Sequence, residues 1–287
     1  MEAERPLLME IFRWKVTRFI ENRVPRIFEL PVRELSPEEL LEGDRVVFLG
    51  HGTVWLQVGD RALLFDPIFG PIGGVVRRRT PPPLSPEDLP RPDLVLISHA
   101  HLDHLDRASL RGLSPGFRVI CGLGAGRYLE GYAVTELDWL DEVRTSGIRI
   151  VALPAQHWSQ RTLFDHNRAL WASYLVEIEG LRVFYGGDTG YFEGFREIGE
   201  EYGPFDLAFL PCGAYEPREL MAPFHLNPEE AVRAARDLRA RLALPIHWGA
   251  YALGDEPPEA PPRLFAEEAR KEGLTARVLF PGEILRL

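Results

Sequence analysis

Cysteine and lysine are scarce in this chain. Its only cysteines, Cys121 and Cys212, stand far apart in apolar segments, so neither a disulfide framework nor a cysteine-based metal site is expected. The simplest interpretation is two buried thiols in a reducing compartment. Lys15 and Lys271 are the only lysines, and the formal net charge of −10 argues against nucleic-acid binding, which requires a concentrated basic surface.

Long hydrophobic runs are also lacking. The apolar run Leu7–Met9 is broken by Glu10 and is too short for the core of a signal peptide, and no segment reaches the length of a membrane span. We therefore expect a cytoplasmic protein. The basic segment 1–26 predicts an amphipathic helix packed on the body of the protein, with contact to an anionic membrane surface as the alternative.

Short strands begin at Arg45. Segments Arg45–Gly50, Thr53–Val58 and Ala62–Pro67 are β-rich and are separated by glycine-containing breaks. Strands and helices then alternate to the end of the chain without a break in composition. Two mixed β-sheets flanked by helices, an α/β architecture, is the simplest way to pack them. We expect one domain over residues 45–287, with residues 1–44 as a helical extension on or beside it.

Three further segments carry local signals. A hairpin is predicted around Glu179-Gly180, and Asn227 is predicted to cap a helix that runs to about Arg241. Residues 70–92 form a long proline-rich connection. Its apolar tip, followed by three arginines at 77–79, suggests either a site for an apolar tail beside a phosphate or a solvated loop.

The segment Leu94–Asp106, LVLISHAHLDHLD, carries the strongest chemical signal. Four apolar residues predict a buried strand, and His99, His101, Asp103 and His104 follow its end. Because residues two apart in an extended chain face the same way, His99 and His101 are able to converge on one point. Imidazole and carboxylate are ligands of zinc and related metals, so this pattern predicts a metal site.

Three later residues, His157, Asp188 and His247, also follow predicted strands. Together with the motif they give seven donors, which exceeds the four that one tetrahedral zinc takes and suits two ions. We assign His99, His101 and His157 to one ion and Asp103, His104 and His247 to the other. Asp188 is expected to bridge them, because a carboxylate offers two oxygens. Two ions that share a water lower its pKa and provide a hydroxide nucleophile.

The roles of two residues outside this set remain open. Asp66 closes a strand before Pro67, where it either orients a ligand histidine or forms an ordinary turn. His51 stands in a glycine-rich turn, and a structural or supporting role is favoured over direct metal binding.

The order of these motifs resembles the metallo-β-lactamase-fold hydrolases, and within them the N-acylphosphatidylethanolamine-hydrolysing phospholipase D family. LGHGTVWLQ, SHAHLDHLD, PAQHWSQRTLFD, GDTGY, HLNPEEAV and IHWGAYAL carry the likeness, which covers roughly residues 45–270. The resemblance implies an αβ/βα four-layer sandwich, two Zn²⁺ ions and phosphodiester hydrolysis. It also implies that His225, in FHLNPEE, lies near the substrate.

The resulting hypothesis is a zinc-dependent hydrolase in which a metal-bridging hydroxide cleaves a phosphodiester, with Asp103, Asp188 and His225 as catalytic residues. Mn²⁺ or Fe²⁺ could replace zinc. A metal-dependent lactonase or ester hydrolase acting on a phosphorylated sugar-acid lactone is the first alternative. A lipid-binding or regulatory protein with structural metals is the second. The expected partner is a small-molecule or phospholipid-like substrate, with peripheral membrane contact through 1–26 or 70–79 and a homo-oligomer left open.

Overall fold

A computed structural model describes residues 9–11, 13–14, 17, 30–162 and 164–287. Most of the helix predicted over 1–26 therefore lies outside the described residues. Ile11 is buried, and the Trp14 indole donates a hydrogen bond to Asp255 Oδ2 at 2.8 Å. Within the described ranges, no helix is long and apolar enough to cross a membrane.

The first sheet has seven strands. They are β1 Arg45–Gly50, β2 Thr53–Val58, β3 Arg61–Phe65, β4 Leu94–Ile97, β5 Arg118–Gly122, β6 Ala133–Leu137 and β13 Ile284–Arg286. Their order in the sheet is β13-β1-β2-β3-β4-β5-β6. Strands β13 to β3 pair antiparallel, whereas β3 to β6 pair parallel.

The second sheet has six strands and, like the first, has an antiparallel part and a parallel part. They are β7 Glu142–Thr145, β8 Ile148–Leu153, β9 Ser173–Ile178, β10 Leu181–Tyr185, β11 Leu207–Pro211 and β12 Leu242–Ile246. Their order is β12-β11-β10-β9-β8-β7, with parallel pairing from β10 to β12 and antiparallel pairing from β7 to β10. Both sheets are therefore mixed, as expected from the sequence.

Among the residues described from Leu30 onward, five α-helices accompany the sheets. They are α1 Arg107–Gly112, α2 Gly194–Glu201, α3 Arg218–Met221, α4 Pro228–Asp237 and α5 Ala260–Lys271. Short 3₁₀ helices span Glu38–Leu40 and Ala125–Tyr128. Helix α4 packs against α2, α5 and strands β11 and β12, so these helices cover the outer face of the second sheet.

The first sheet is buried on both faces because alternate residues of each strand point to opposite sides. Val46 and Phe48 of β1 belong to the core shared with the second sheet, whereas Val47 and Leu49 pack on the other side with residues such as Leu110 of α1. The two sheets are also joined by a hydrogen bond from Tyr174 Oη to Ile97 O at 2.8 Å. This confirms the predicted architecture of two sheets between helices.

The sequence-based boundaries hold at most strands and are wrong at one helix. Helix α4 ends at Asp237 rather than near Arg241, and Arg239 has a positive φ of 57° that a continuing helix does not allow. Strands β6 and β7 were not expected, because most of their residues are exposed or half-buried and give no core-facing pattern. The tip of the 70–92 connection is closed by a single bridge between Ile72 and Val76.

The topology fixes where chemistry can occur. Strands β1, β3 and β4 of one sheet and β8, β10 and β12 of the other end in segments that carry the histidines and aspartates. In open α/β sheets, ligands bind beyond the carboxyl ends of the strands.

Candidate metal centre

Nine side chains come together in one cluster: eight that follow these strands, and His225 just before helix α4. It contains all seven predicted metal ligands together with His51 and His225. Their potential ligand atoms form overlapping groups in which every atom lies within 4.8 Å of the others. The members are His51, His99, His101, Asp103, His104, His157, Asp188, His225 and His247.

One group consists of His99, His101 and His157. Nε2 of His99 lies 2.7 Å from Nδ1 of His101, and Nε2 of His157 lies 3.3 Å from the same atom. The other nitrogen of His157 donates to Phe224 O at 2.9 Å, which leaves Nε2 to face the cluster. These are the three histidines that the sequence assigned to the first ion.

A second group consists of His51, Asp103, His104 and His247. Oδ2 of Asp103 lies 3.0 Å from Nε2 of His51, 3.6 Å from Nε2 of His104 and 3.7 Å from Nε2 of His247. His51 was expected to support the site and not to bind metal. The structure places its ring 4.1 Å from that of His247, inside the same donor group.

Asp188 lies between the two groups. Its Oδ1 is 3.1 Å from Nε2 of His247, and its Oδ2 is 3.3 Å from Nε2 of His104 and 3.9 Å from Nε2 of His157. Gly187 makes this approach possible, because a Cβ at that residue would lie 2.5 Å from Cβ of Ser98. The carboxylate of Asp188 therefore reaches side chains of both predicted ion sites.

Contacts within the protein leave several donor atoms of the cluster unsatisfied, and metal ions would satisfy them. Among the described residues, four donor atoms that face the cluster are buried without a hydrogen-bond partner: Nε2 of His104 and His247, Nδ1 of His225 and Oδ1 of Asp188. Buried polar atoms are otherwise almost always paired. A set of imidazoles and carboxylates in this number matches zinc, iron or manganese.

Burial and mutual repulsion shape the protonation of the histidines. Burial, followed by the charge of His247, lowers the pKa of His51 to about 3, and burial lowers that of His157 to about 4. Burial also lowers the pKa of His247, but Asp188 and Asp103 together outweigh it and raise the value to about 9. Five of the seven histidines therefore have lowered pKa values and are neutral, as metal binding requires, whereas the neighbouring carboxylates raise the pKa of His104 and His247.

Asp66 resolves one question that the sequence left open. Its Oδ2 accepts a hydrogen bond from Nδ1 of His104 at 2.7 Å and from Oγ of Ser98 at 2.5 Å, and it lies 2.8 Å from Oη of Tyr185. Asp66 therefore fixes the orientation of His104 and leaves Nε2 of that ring to face the cluster. Ser98 and Tyr185 had no sequence signal, because a serine or tyrosine at a strand end is ordinary.

Backbone strain collects at the same place. His51, Asp66 and His247 have positive φ values of 59°, 38° and 62°, a region that residues with side chains seldom occupy. Such strain persists where surrounding contacts enforce it and clusters at functional sites.

One side of the cluster is open. His101, Asp103 and His225 are half-buried, whereas the other ligands are buried. His225 stands at this opening, with Nδ1 3.9 Å from Oδ2 of Asp188. His166, expected at the surface, is exposed and lies next to Trp158.

Apolar side chains flank the opening. Leu102, between two predicted ligands, is 38% exposed, and a Cβ on Gly73 would lie 3.1 Å from its Cδ1. The tip of the 70–92 connection therefore lies against the metal-binding turn. Val75, in the same tip, is 78% exposed.

No serine arrangement competes with the cluster. Residues 112–116, GLSPG, match the pattern of a serine nucleophile elbow, G-x-S-x-G. The elbow requires a turn from a strand into a helix, but this pentapeptide follows helix α1 and leads into β5. The metal cluster is therefore the chemical centre that the fold presents.

Known proteins share both sequence and fold with this chain. Residues 61–248 match the β-lactamase superfamily domain. The chain is 37% identical over 279 residues to N-acyl-phosphatidylethanolamine-hydrolyzing phospholipase D 1 of Caenorhabditis elegans, a match that covers 87% of this chain and 78% of that protein. It is 30% identical to a metal-dependent hydrolase of Thermococcus onnurineus, covering 85% of this chain and 99% of the other.

Solved structures agree. A metallo hydrolase from the archaeon Ignicoccus hospitalis superposes with a TM-score of 0.67 at 25% identity, covering 84% of this chain and 97% of that one. Sequence, fold and a buried cluster of histidines and carboxylates at the strand ends lead to one conclusion. The chain belongs to the metallo-β-lactamase superfamily of metal-dependent hydrolases.

Proposed function

We propose that the protein is a dinuclear zinc hydrolase that cleaves a phosphodiester in the manner of a phospholipase D. His99, His101 and His157 would hold one ion, Asp103, His104 and His247 the other, and Asp188 would serve both. Bound in this way, two divalent ions supply an activated water and positive charge for the phosphoryl oxygens.

The position of Asp188 carries this proposal. Its two oxygens reach His247 on one side and His104 and His157 on the other, at 3.1–3.9 Å. One ion requires only one of these donor groups, so a carboxylate held between two groups indicates two ions. The Thermococcus onnurineus relative, named as a metal-dependent hydrolase, supports a metal-binding role for these residues.

The half-buried residues define what meets the substrate. Asp103 faces the opening and is placed to accept a hydrogen bond from the attacking water. His225, whose Nδ1 is buried without a hydrogen-bond partner among the described residues, is placed to donate a hydrogen bond to a phosphoryl oxygen or to protonate the leaving alkoxide. Asp103 would thus orient the water, and His225 would either orient the phosphoryl group or supply a proton to the leaving group.

The substrate proposal rests on the opening and on similarity. The exposed Leu102 and Val75 offer an apolar surface beside the cluster, which suits a substrate with an acyl chain attached to its phosphodiester. The Caenorhabditis elegans relative, named for hydrolysis of N-acyl-phosphatidylethanolamine, supports that class.

A panel of substrates tests the proposal. Purified protein should contain about two zinc ions per chain by elemental analysis. It should hydrolyse N-acylphosphatidylethanolamine and a chromogenic phosphodiester, and the His99→Ala variant should lose this turnover. Zinc-loaded protein that is inert toward every phosphodiester but opens phosphorylated lactones would refute the phosphodiesterase assignment. Fully folded protein that binds no metal would refute the dinuclear centre.

A further inference from the structure

His247 has one ring nitrogen for which the described residues provide no hydrogen-bond partner. Its Nε2 faces Asp188 and Asp103, so this is the nitrogen that points into the metal cluster. The other nitrogen, Nδ1, is buried and has no hydrogen-bond partner among the residues that the structure describes. A metal-binding histidine almost always donates its second N–H to a carboxylate, a backbone carbonyl or a water.

A small cavity lies directly behind this ring. It has a volume of about 20 Å³ and is lined by His51, His247, Gly213, Ala214, Tyr251 and Glu256, among others. A cavity of roughly 10–15 Å³ is enough for one water, provided that polar groups surround it. The ring of His247 and the carboxylate of Glu256 supply such groups.

Glu256 is a buried carboxylate that no step of the proposed reaction uses. Only 9% of its surface is exposed. Its Oε1 accepts a hydrogen bond from the backbone N–H of Ala214 at 2.6 Å, and its Oε2 accepts one from the N–H of Glu216 at 3.1 Å. The backbone N–H of Glu256 itself is a third donor to this carboxylate. Because a carboxylate has about four lone-pair positions, it can accept one further hydrogen bond.

The loop held by Glu256 packs on the backbone of His247. A Cβ on Gly213 would lie 2.0 Å from His247 O, so the chain after β11 passes directly over this residue. His247 also has a strained backbone, with φ of 62°. The orientation of its ring therefore depends on contacts from outside the metal cluster.

We propose that one internal water in this cavity joins Nδ1 of His247 to the carboxylate of Glu256, and that Glu256 is thereby a positioning residue for His247. The N–H of the imidazole donates to the water, and the water donates to a carboxylate oxygen. This arrangement fixes the tautomer that leaves Nε2 free to bind metal. The inference rests on the metal centre of the proposed function but not on its substrate.

A crystal structure of the wild-type protein tests the water directly. We expect an ordered water within hydrogen-bond distance of both His247 Nδ1 and an oxygen of Glu256. A dry cavity, or a water that contacts neither group, would overturn the proposal.

Metal titration tests the positioning role. Glu256→Gln removes the charge and one acceptor while keeping the size of the side chain. Glu259→Gln is the matched control, because Glu259 is exposed in the same loop and makes no capping hydrogen bond. With Co²⁺ as the probe, Glu256→Gln should weaken binding of one of the two ions by about 10–100-fold and change its visible absorption spectrum, whereas Glu259→Gln should match the wild type.

A double-mutant comparison separates positioning from general loss of stability. In a His247→Gln background, Glu256→Gln should have no further effect on Co²⁺ affinity, because its path to the metal is already broken. Equal effects in both backgrounds would show that Glu256 acts on the loop alone and would overturn the proposal. Wild-type protein that binds no Co²⁺ would instead refute the metal centre itself.

Discussion

At the scale of single residues, the candidate site depends on side chains that are not themselves donors to a metal. Asp66 is fully buried, and its Oδ2 holds Nδ1 of His104 at 2.7 Å. Ser98 and Tyr185 converge on the same oxygen. The direction in which His104 points is thus set by three residues from three different strand ends.

Replacing Asp66 should weaken the metal centre without removing a ligand. In Asp66→Asn an amide nitrogen can face the N–H of His104, so the hydrogen bond that orients the ring is lost. We expect zinc affinity and turnover to fall by about 10–100-fold. Competition with a chromogenic chelator measures the affinity.

The control for this change is Asp60→Asn. Asp60 lies in the turn between β2 and β3, and its side chain is 80% exposed. The Asp60→Asn variant should therefore bind zinc with the affinity of the wild type. Zinc affinity of Asp66→Asn equal to that of Asp60→Asn would contradict the role given to Asp66.

The pKa of His247 predicts how the metal-free protein responds to pH. Its folded-state pKa of about 9 lies above the ordinary value of 6.5. The stabilisation from its protonated form is therefore fully present below pH 6.5 and is lost as the pH rises through about 9. We expect the free energy of unfolding of metal-free protein, measured with urea, to decrease over this interval.

Histidines with lowered pKa values do not obscure this trend. His51 and His157 are neutral in the folded state, and unfolded histidine is also largely neutral above pH 6.5. His247→Gln should show a smaller decrease than the wild type. An identical pH dependence in the two proteins would assign the effect to other groups.

Local spacing decided which site residues could be predicted. His99, His101, Asp103 and His104 are close in sequence, so their pattern alone predicts a metal site. His51 reaches the same group from β1, and an isolated histidine in a turn carries no such pattern. Glu256 could not be predicted from the sequence, because its burial follows from the packing of a loop after β12.

At the scale of elements, helix α4 connects helix capping to the opening of the site. Asn227 Oδ1 accepts from the N–H of Glu230 at 2.8 Å, and Glu230 Oε2 accepts from the N–H of Asn227 at 3.1 Å. The carboxylate of Glu230 also binds Arg218, which donates to His225 O at 2.8 Å. The start of the helix therefore helps to hold His225 in place.

Removing this cap should destabilise the protein modestly. Asn227→Ala leaves the backbone N–H of Glu230 without its side-chain acceptor, and such changes cost about 1 kcal/mol. Urea unfolding should show this loss, while Asn227→Asp should retain most of the stability. A stability of Asn227→Ala equal to that of the wild type would show that water replaces the cap at no cost.

Elements were predictable where burial imposed a pattern. Strands β1 and β2 agree with the sequence to the residue, because each is rich in buried apolar residues and is ended by glycine or a turn. Strand β7, whose residues are exposed or half-buried, carries no such pattern. The end of α4 was misplaced, because residues 238–241 continue the helical composition while the backbone turns at Arg239.

At the scale of the whole molecule, metal binding should stabilise the fold. The donors come from both sheets, so ions bind the folded chain and have no equivalent site in the unfolded one. Free zinc at 100 times the dissociation constant should add about 2.7 kcal/mol for each site. Thermal unfolding before and after chelation measures this shift.

The His99→Ala variant provides the comparison. It should gain less than the wild type when zinc is restored, because one donor group is incomplete. A melting temperature of the wild type that does not change on chelation and reloading would contradict a tightly bound metal.

The hydrogen bond from Tyr174 to Ile97 has a consequence for the order of assembly. It joins the two sheets through groups that take no part in the cluster, and Tyr185 does the same by donating to Gly52 O at 2.8 Å. The halves can therefore dock before any ion arrives. Ions of the proposed centre would then be loaded after the sheets have docked, and they would enter past the half-buried His101, Asp103 and His225. The speed of loading then depends on how crowded that entrance is.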